Sequence, residues 1–203
     1  MPDALTYDVA IVGGGIAGLA LAAALGESGL RIAIIEAREL PGLNGPSGDT
    51  VADFDPRVSA LTKRSMAFLE RLGAWEAISA HRHCPYGHMT VWDAEGTGRI
   101  EFDAGEVAAE SLGSIVENSV IVGALAACVR ALHDVDVLAP TRLAGLDYEG
   151  RQSLLHLDDG RSIRCELLVA ADGALSRTRD LLGMRTREWD YGHRAIVTTA
   201  AFE

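Results

Sequence analysis

Glycines and carboxylates are the residues of this 203-residue chain whose types and spacing best suit chemistry. Gly13-Gly14-Gly15-Ile16-Ala17-Gly18 contains G-x-G-x-x-G. Alone the pattern is weak, because plain strand–helix connections also carry it. It gains meaning when a strand precedes it and a helix follows. Gly13 then permits a tight turn, Gly15 lets a pyrophosphate approach the backbone, and Gly18 lets helix and strand pack closely. The N–H groups at the helix head, those of Ile16, Ala17 and Gly18, and the positive end of the helix dipole would face the phosphates. Glu36 stands about twenty residues on, where a carboxylate takes a ribose hydroxyl. A carboxylate there disfavours a 2′-phosphorylated nucleotide through like-charge repulsion. These residues suit the adenosine diphosphate part of NAD or FAD and do not choose between the two. A second feature, Asp172-Gly173, follows the apolar run 167–171. There is no G-x-S-x-G and no Cys–His motif, so no catalytic acid, base or nucleophile is assigned.

The elements that must position these residues follow from the hydrophobic pattern. Asp8–Val12 and Arg31–Glu36 read as buried strands flanking a helix over Gly15–Gly29, stopped by Gly29, which makes a parallel βαβ unit. Residues 40–56 are dense in Pro and Gly and read as a flexible loop. Thr62–Leu72 reads as a helix with Thr62 as cap. His88–Asp93 and Arg99–Asp103 read as two strands around a turn. A helix over Ser119–Leu132 and a strand over Val135–Leu138 follow. Thr141–Asp147, Ser153–Leu157 and Ser162–Cys165 form a meander, turned at Asp158-Asp159-Gly160. Glu166–Ala171 reads as a separate buried strand, and Ser176–Leu182 as a short helix ended by Gly183.

Composition bounds the rest. The formal charge of −11 argues against a nucleic-acid partner, which requires a basic footprint. Cys84, Cys128 and Cys165 are odd in number and widely spaced, which excludes a disulfide framework and reads as buried free thiols in a reducing compartment. His81, His83 and His88 lack metal-site spacing and read as satisfied or solvated, so no metal is assigned. The N-terminus has no basic signal segment, and glycines interrupt the apolar stretch 9–25, so no transmembrane segment is expected. A cytoplasmic location is expected.

Later residues carry a family resemblance. Leu168-Val169-Ala170-Ala171-Asp172-Gly173-Ala174-Leu175-Ser176, with Arg177 and Arg179, resembles the Asp-Gly fingerprint of the FAD-dependent aromatic hydroxylases (group A flavoprotein monooxygenases). Three stretches resemble the branch that hydroxylates ubiquinone precursors: Arg57-Val58-Ser59-Ala60-Leu61-Thr62, Val116-Glu117-Asn118-Ser119, and Trp189-Asp190-Tyr191-Gly192-His193-Arg194-Ala195-Ile196-Val197. The resemblance implies an α/β fold: a Rossmann-like FAD-binding βαβ with parallel sheet, a β-meander, and the beginning of an antiparallel substrate-domain sheet. It implies a discontinuous FAD-binding domain over 1–80 and 104–183, and a partial substrate-binding sheet over 84–103 and 184–203. By the same resemblance Gly13, Gly15 and Gly18 hold the pyrophosphate and Glu36 the ribose. Arg38 lies beside the adenine or its ribose. Arg57 approaches the flavin or its linker, Asn118 the FAD phosphates, and Asp172 with Gly173 the pyrophosphate region. Read as residues, Arg57 also suits a surface ion pair and Asn118 a helix cap.

The implied activity is hydroxylation of a polyprenylated phenol in ubiquinone biosynthesis, with FAD as cofactor, NAD(P)H as electron donor and dioxygen as oxidant. A dry pocket and well-placed cofactor do most of that work. A prenylated substrate implies peripheral membrane association, and a homo-oligomer or biosynthetic complex is an expected setting. The family's second flavin motif, Gly-Asp-Ala-Ala-His, does not occur in the sequence. The chain therefore reads as the N-terminal part of a longer hydroxylase, ending inside a strand, with weak FAD binding and no hydroxylation on its own. A non-catalytic dinucleotide-fold remnant and an NAD-binding dehydrogenase domain are the competing readings.

Overall fold

Apolar β-branched runs set the first half of the architecture in this computed structural model, which describes residues 4–42, 48 and 50–202. β1 (Leu5–Val12) leads through the glycine loop into α1 (Ile16–Leu25), and β2 (Ile32–Ile35) returns beside β1 in parallel. The helix ends at Gly26, short of the expected Gly29; Gly29 instead takes φ +75° in the turn to β2. Ile11, Leu19, Ile32 and Ile34 are completely buried. Each such side chain contributes roughly 1.5–3 kcal/mol of transfer free energy.

The remaining strands and α-helices, in chain order, are β3 (Val58–Thr62), α2 (Lys63–Arg71), α3 (Trp75–His81), β4 (Cys84–Tyr86), β5 (His88–Trp92), β6 (Arg99–Asp103), β7 (Gly113–Glu117), α4 (Asn118–Arg130), β8 (Val135–Leu138), β9 (Leu143–Glu149), β10 (Gln152–Leu157), β11 (Ser162–Ala170) and α5 (Arg177–Leu181). Two compact units arise from them. One is Met1–Gly45 with Val122–Ile196; the other is Pro46–Ile121 with Val197–Glu203. The division falls inside α4.

The first unit is built on a six-stranded sheet in the order β8-β2-β1-β11-β10-β9. β8, β2, β1 and β11 run parallel, while β9 and β10 form the antiparallel meander. β11 is one continuous strand where two were expected. Its first half pairs with β10, and β1 pairs along nearly its whole length. The end expected to be buried is open on one side, with Leu167 54% exposed. Tyr7, Ala10, Val12, Ala33, Ile35, Leu155, Ile163 and Cys165 belong to one buried core cluster of the sheet. Burial pushes the Cys165 thiol up to about 11, so it is an inert core residue. Cys84, expected to be buried, is exposed.

The second unit holds a three-stranded antiparallel sheet, β3-β7-β4, and the hairpin β5-β6. The expected α2 forms, and the Thr62 hydroxyl accepts from the Ser65 N–H at its head. α2 packs on α3, β3 and β7. β5 and β6 match the expected strand pair, but β4 pairs with β7 and not with the hairpin. Residues 184–202 form no helix or strand. The strand expected there does not form: no described strand pairs with these residues, and Ile196 and Phe202 remain exposed.

Candidate functional site

In the first unit, three parallel strands end at one edge of the sheet, and each delivers a residue singled out in the sequence. β1 ends in the glycine loop, β2 in Glu36, and β11 in Asp172-Gly173. Backbone bonds bring the ends together: Gly13 N–H donates to the Ile35 carbonyl (2.8 Å), and Ala171 N–H to the Val12 carbonyl (2.8 Å). Carboxyl ends of parallel strands are where open α/β sheets bind ligands.

The three fingerprint glycines differ in surroundings. A Cβ on Gly13 would overlap the Ala171 carbonyl, and one on Gly18 would overlap the Gly13 carbonyl. Gly13 also has φ +114°, a conformation that glycine adopts without a steric penalty. A Cβ on Gly15 would meet nothing within 4 Å. Gly13 and Gly18 are therefore packing glycines, and the space in front of Gly15 is open. Gly15 is the N-cap of α1, and no side chain caps that end. The first N–H groups of an uncapped helix are free to donate to an anion. This open cradle fits a pyrophosphate.

Glu36 closes the other side. Its Oε2 accepts from the Gly14 N–H at 2.6 Å and its Oε1 from the Arg38 N–H at 3.0 Å. Its own backbone is pinned on both sides: Glu36 N–H donates to Leu138, and Thr141 N–H donates to the Glu36 carbonyl. A carboxylate with spare lone pairs at this position suits a ribose diol. Arg38 sits beside it, exposed. Gly14, which the sequence reading left without a role, carries the other half of this contact. A Cβ there would lie 2.7 Å from Leu40 Cδ2 and 2.9 Å from Glu36 Cγ.

Asp172 is already engaged. Its Oδ1 accepts from Ser176 Oγ (2.6 Å), and its Oδ2 from the Thr178 N–H (2.9 Å) and hydroxyl (3.0 Å). Burial opposes its ionisation, but these hydrogen bonds outweigh burial and hold the carboxyl below its ordinary value. Its side chain thus organises the head of α5, while Gly173, at φ +79°, makes the turn. Ser176 and Thr178 complete this Asp-Gly cap, and the S-x-T spacing after Asp-Gly was the signal for them.

Arg57 and Asn118 lie in the second unit and meet each other: the Asn118 N–H donates to the Arg57 carbonyl at 2.9 Å. The Arg57 side chain is 76% exposed and faces Asp55 at 3.6 Å. Asn118 Oδ1 accepts from the Ser59 hydroxyl at 2.6 Å. The carboxylate at the head of α4 comes from Asp55, whose Oδ2 accepts from the Ser119 N–H. Burial raises the Asp55 pKa, but the backbone donors of Arg57 and Ser119 and the Arg57 charge more than reverse this and lower it. Beneath them Glu117, nearly buried, accepts from Arg82 Nε (3.0 Å) and the Asp55 N–H (2.8 Å). Arg82 stacks over Phe54. His83 bonds Ser114 and His88 bonds Asp103, as satisfied histidines should, but His81 Nε2 is buried without a partner among the described residues. Among the described residues no group of His, Cys, Asp and Glu could hold a metal.

An open loop at a helix head, a carboxylate beside it and an Asp-Gly turn on one sheet edge are the parts of a dinucleotide site. Over residues 6–201 the sequence matches the FAD binding domain family. The chain belongs to this family. This decides for FAD over NAD, which the βαβ unit left open. The 3-demethoxyubiquinol 3-hydroxylase of Escherichia coli (strain K12) is 34% identical over 198 residues, covering 97% of this chain and 49% of that protein. The ubiquinone biosynthesis monooxygenase COQ6 of Xenopus tropicalis is 35% identical over 206 residues, covering 95% and 43%. Among solved structures, the flavin-dependent monooxygenase PieE, in complex with FAD and substrate, has a TM-score of 0.66 at 23% identity. The match covers 90% of this chain and 33% of that one and shows the fold. The resemblance to the ubiquinone branch is thus borne out. The FAD binding domain chain spans about half the length of the curated relatives it matches.

Proposed function

We propose that this chain supplies the adenosine and pyrophosphate side of the FAD site in an NAD(P)H-using monooxygenase that hydroxylates a polyprenylated phenol in ubiquinone biosynthesis. The observation that carries the reading is the open Gly15 cradle facing an uncapped helix, with Glu36 fixed at its side. The names of the relatives support the substrate class. When bound, FAD supplies the redox chemistry between a nicotinamide, dioxygen and the phenol. The residues of this chain bind and orient. N–H groups of Ile16, Ala17 and Gly18 would hold the phosphates, Glu36 would hold the ribose, and Arg38 would border the adenine. Arg57 would approach the flavin or its linker, and Asn118 the FAD phosphates. Asp172 would act through the α5 cap, shaping the turn beside Gly13.

A polyprenylated substrate is lipid-soluble, so the parent protein would work at a membrane surface, alone, as a homo-oligomer or in a biosynthetic complex. Among the described residues no helix is long and apolar enough to cross a membrane. The test is a chimera in which this chain replaces the matching half of the E. coli 3-demethoxyubiquinol 3-hydroxylase. A folded, FAD-loaded chimera that hydroxylates the native substrate supports the reading. One that is folded and FAD-loaded but inactive contradicts it.

A further inference from the structure

We infer that Arg130 is a positioning residue for the nucleotide edge. It acts at a distance in sequence by holding Leu40 against Gly14. Arg130 is the last residue of α4. Its Nη2 donates to the Leu40 carbonyl at 2.8 Å and its Nη1 to the Pro41 carbonyl at 3.0 Å, across 90 and 89 positions of chain. The segment it grips has no regular secondary structure, yet Leu40 is only 7% exposed. Leu40 packs on the middle glycine of the loop, with Cδ2 2.7 Å from where a Gly14 Cβ would sit. Glu36 covers the same glycine and accepts its N–H. Leu138 and Thr141 fix the N–H and the carbonyl of Glu36. Leu40 has no strand ladder, and the fork of Arg130 takes its place. Two donors in fixed geometry on two successive carbonyls define both position and orientation of that backbone. When Leu40 leaves, Gly14 loses its cover, and its hydrogen bond to Glu36 opens more often.

The consequence for ligand binding rests on the nucleotide reading above; the consequence for Gly14 does not. The test therefore reads both. In Arg130→Met, hydrogen exchange at the Gly14 amide should quicken roughly tenfold, while Ile11 and Ile34 in the strands stay protected, because the opening is local. Affinity for ADP, used as the probe, should fall about three- to tenfold, since apparent affinity scales with the fraction of competent loop. Leu40→Ala should give the same two effects, and the double variant should be little worse than either single. Arg130→Lys, which keeps the charge but loses the fork, should fall between wild type and Arg130→Met and serves if the latter does not fold. Unchanged Gly14 exchange in the Arg130 variants, or full additivity with Leu40→Ala, would overturn the inference. Gly15→Val separates the two claims. It should abolish ADP binding without altering Gly14 exchange; if ADP still binds, the nucleotide reading fails and the Gly14 exchange result alone judges Arg130.

Discussion

The Glu36 carboxylate accepts a 2.6 Å hydrogen bond from the Gly14 N–H, so the end of β2 and the loop after β1 are one unit of structure. A residue expected to read the ribose also holds the phosphate loop in shape. Glu36→Gln keeps an acceptor for Gly14 and removes the charge. Its stability should change by less than about 1 kcal/mol, the scale of one neutral hydrogen bond. Its preference for ADP over 2′-phospho-ADP should shrink by about tenfold, because the repulsion that excludes the phosphate is gone. Paired titrations of the two nucleotides against wild type and variant measure this.

The three fingerprint glycines should separate in a stability screen. Gly13→Ala and Gly18→Ala force overlap with backbone carbonyls and should cost about 1–3 kcal/mol or more. Gly15→Ala meets nothing and sits at φ −80°, so it should cost less than about 1 kcal/mol, the usual range for an N-cap change. Thermal denaturation of the three variants reads the order directly. Equal losses at all three positions would contradict the assignment of Gly15 as the open one.

The parts legible in the sequence were those whose signals are local. Buried β-branched runs marked β1 and β2, glycine spacing marked the loop, and Thr62 marked the head of α2. Glu36 was found by its distance from the loop. The parts that were missed depend on partners. Residues 113–117 and 84–86 contain Gly, Ser, Pro and a buried Glu, and become strands only by pairing, 113–117 with 58–62 on one side and with 84–86 on the other. β11 read as two strands because its pattern changes where β10 stops pairing with it. Asp172 was expected near phosphate, but its side chain is used by Ser176 and Thr178, a contact that requires the turn at Gly173 to exist first. Leu40 looked like part of a featureless loop because Arg130, its partner, is 90 residues away.

Asp172 should make stability depend on pH. Its folded pKa is depressed by the Ser176 and Thr178 donors, so its contribution is present above the unfolded carboxyl value and is lost as pH falls through the folded one. Asp172→Asn should cost about 1–3 kcal/mol at neutral pH, the cost of leaving buried donors short of a partner. The gap to wild type should close below about pH 4, near the ordinary Asp value. Denaturant titrations at several pH values check this, and a gap that persists undiminished into acid would refute it.

Glu117 should be the costliest single change in the second unit. It is 6% exposed and takes donors from both Arg82 and the Asp55 backbone. Glu117→Ala takes the carboxylate away from Arg82, which keeps the Gly48 and Asp53 carbonyls, and leaves the Asp55 N–H without its acceptor; it should cost about 3 kcal/mol, as for other buried pairs broken on one side. Arg57→Ala, which removes an exposed ion pair, should cost under about 1 kcal/mol. Urea midpoints of the two variants compare these directly.

The central claim is that this chain grips the ADP portion of FAD at the Gly15 cradle. Amide chemical shifts followed during titration with ADP, FAD and FMN test it most directly. The expected result is movement of the Gly15, Ile16, Ala17 and Gly18 amides with both ADP and FAD. The two affinities should lie within about tenfold, a difference of 1.4 kcal/mol, with no such movement for FMN, which lacks the adenosine half. Binding of FMN as tightly as FAD, or ADP binding that leaves residues 15–18 unmoved, would contradict the claim.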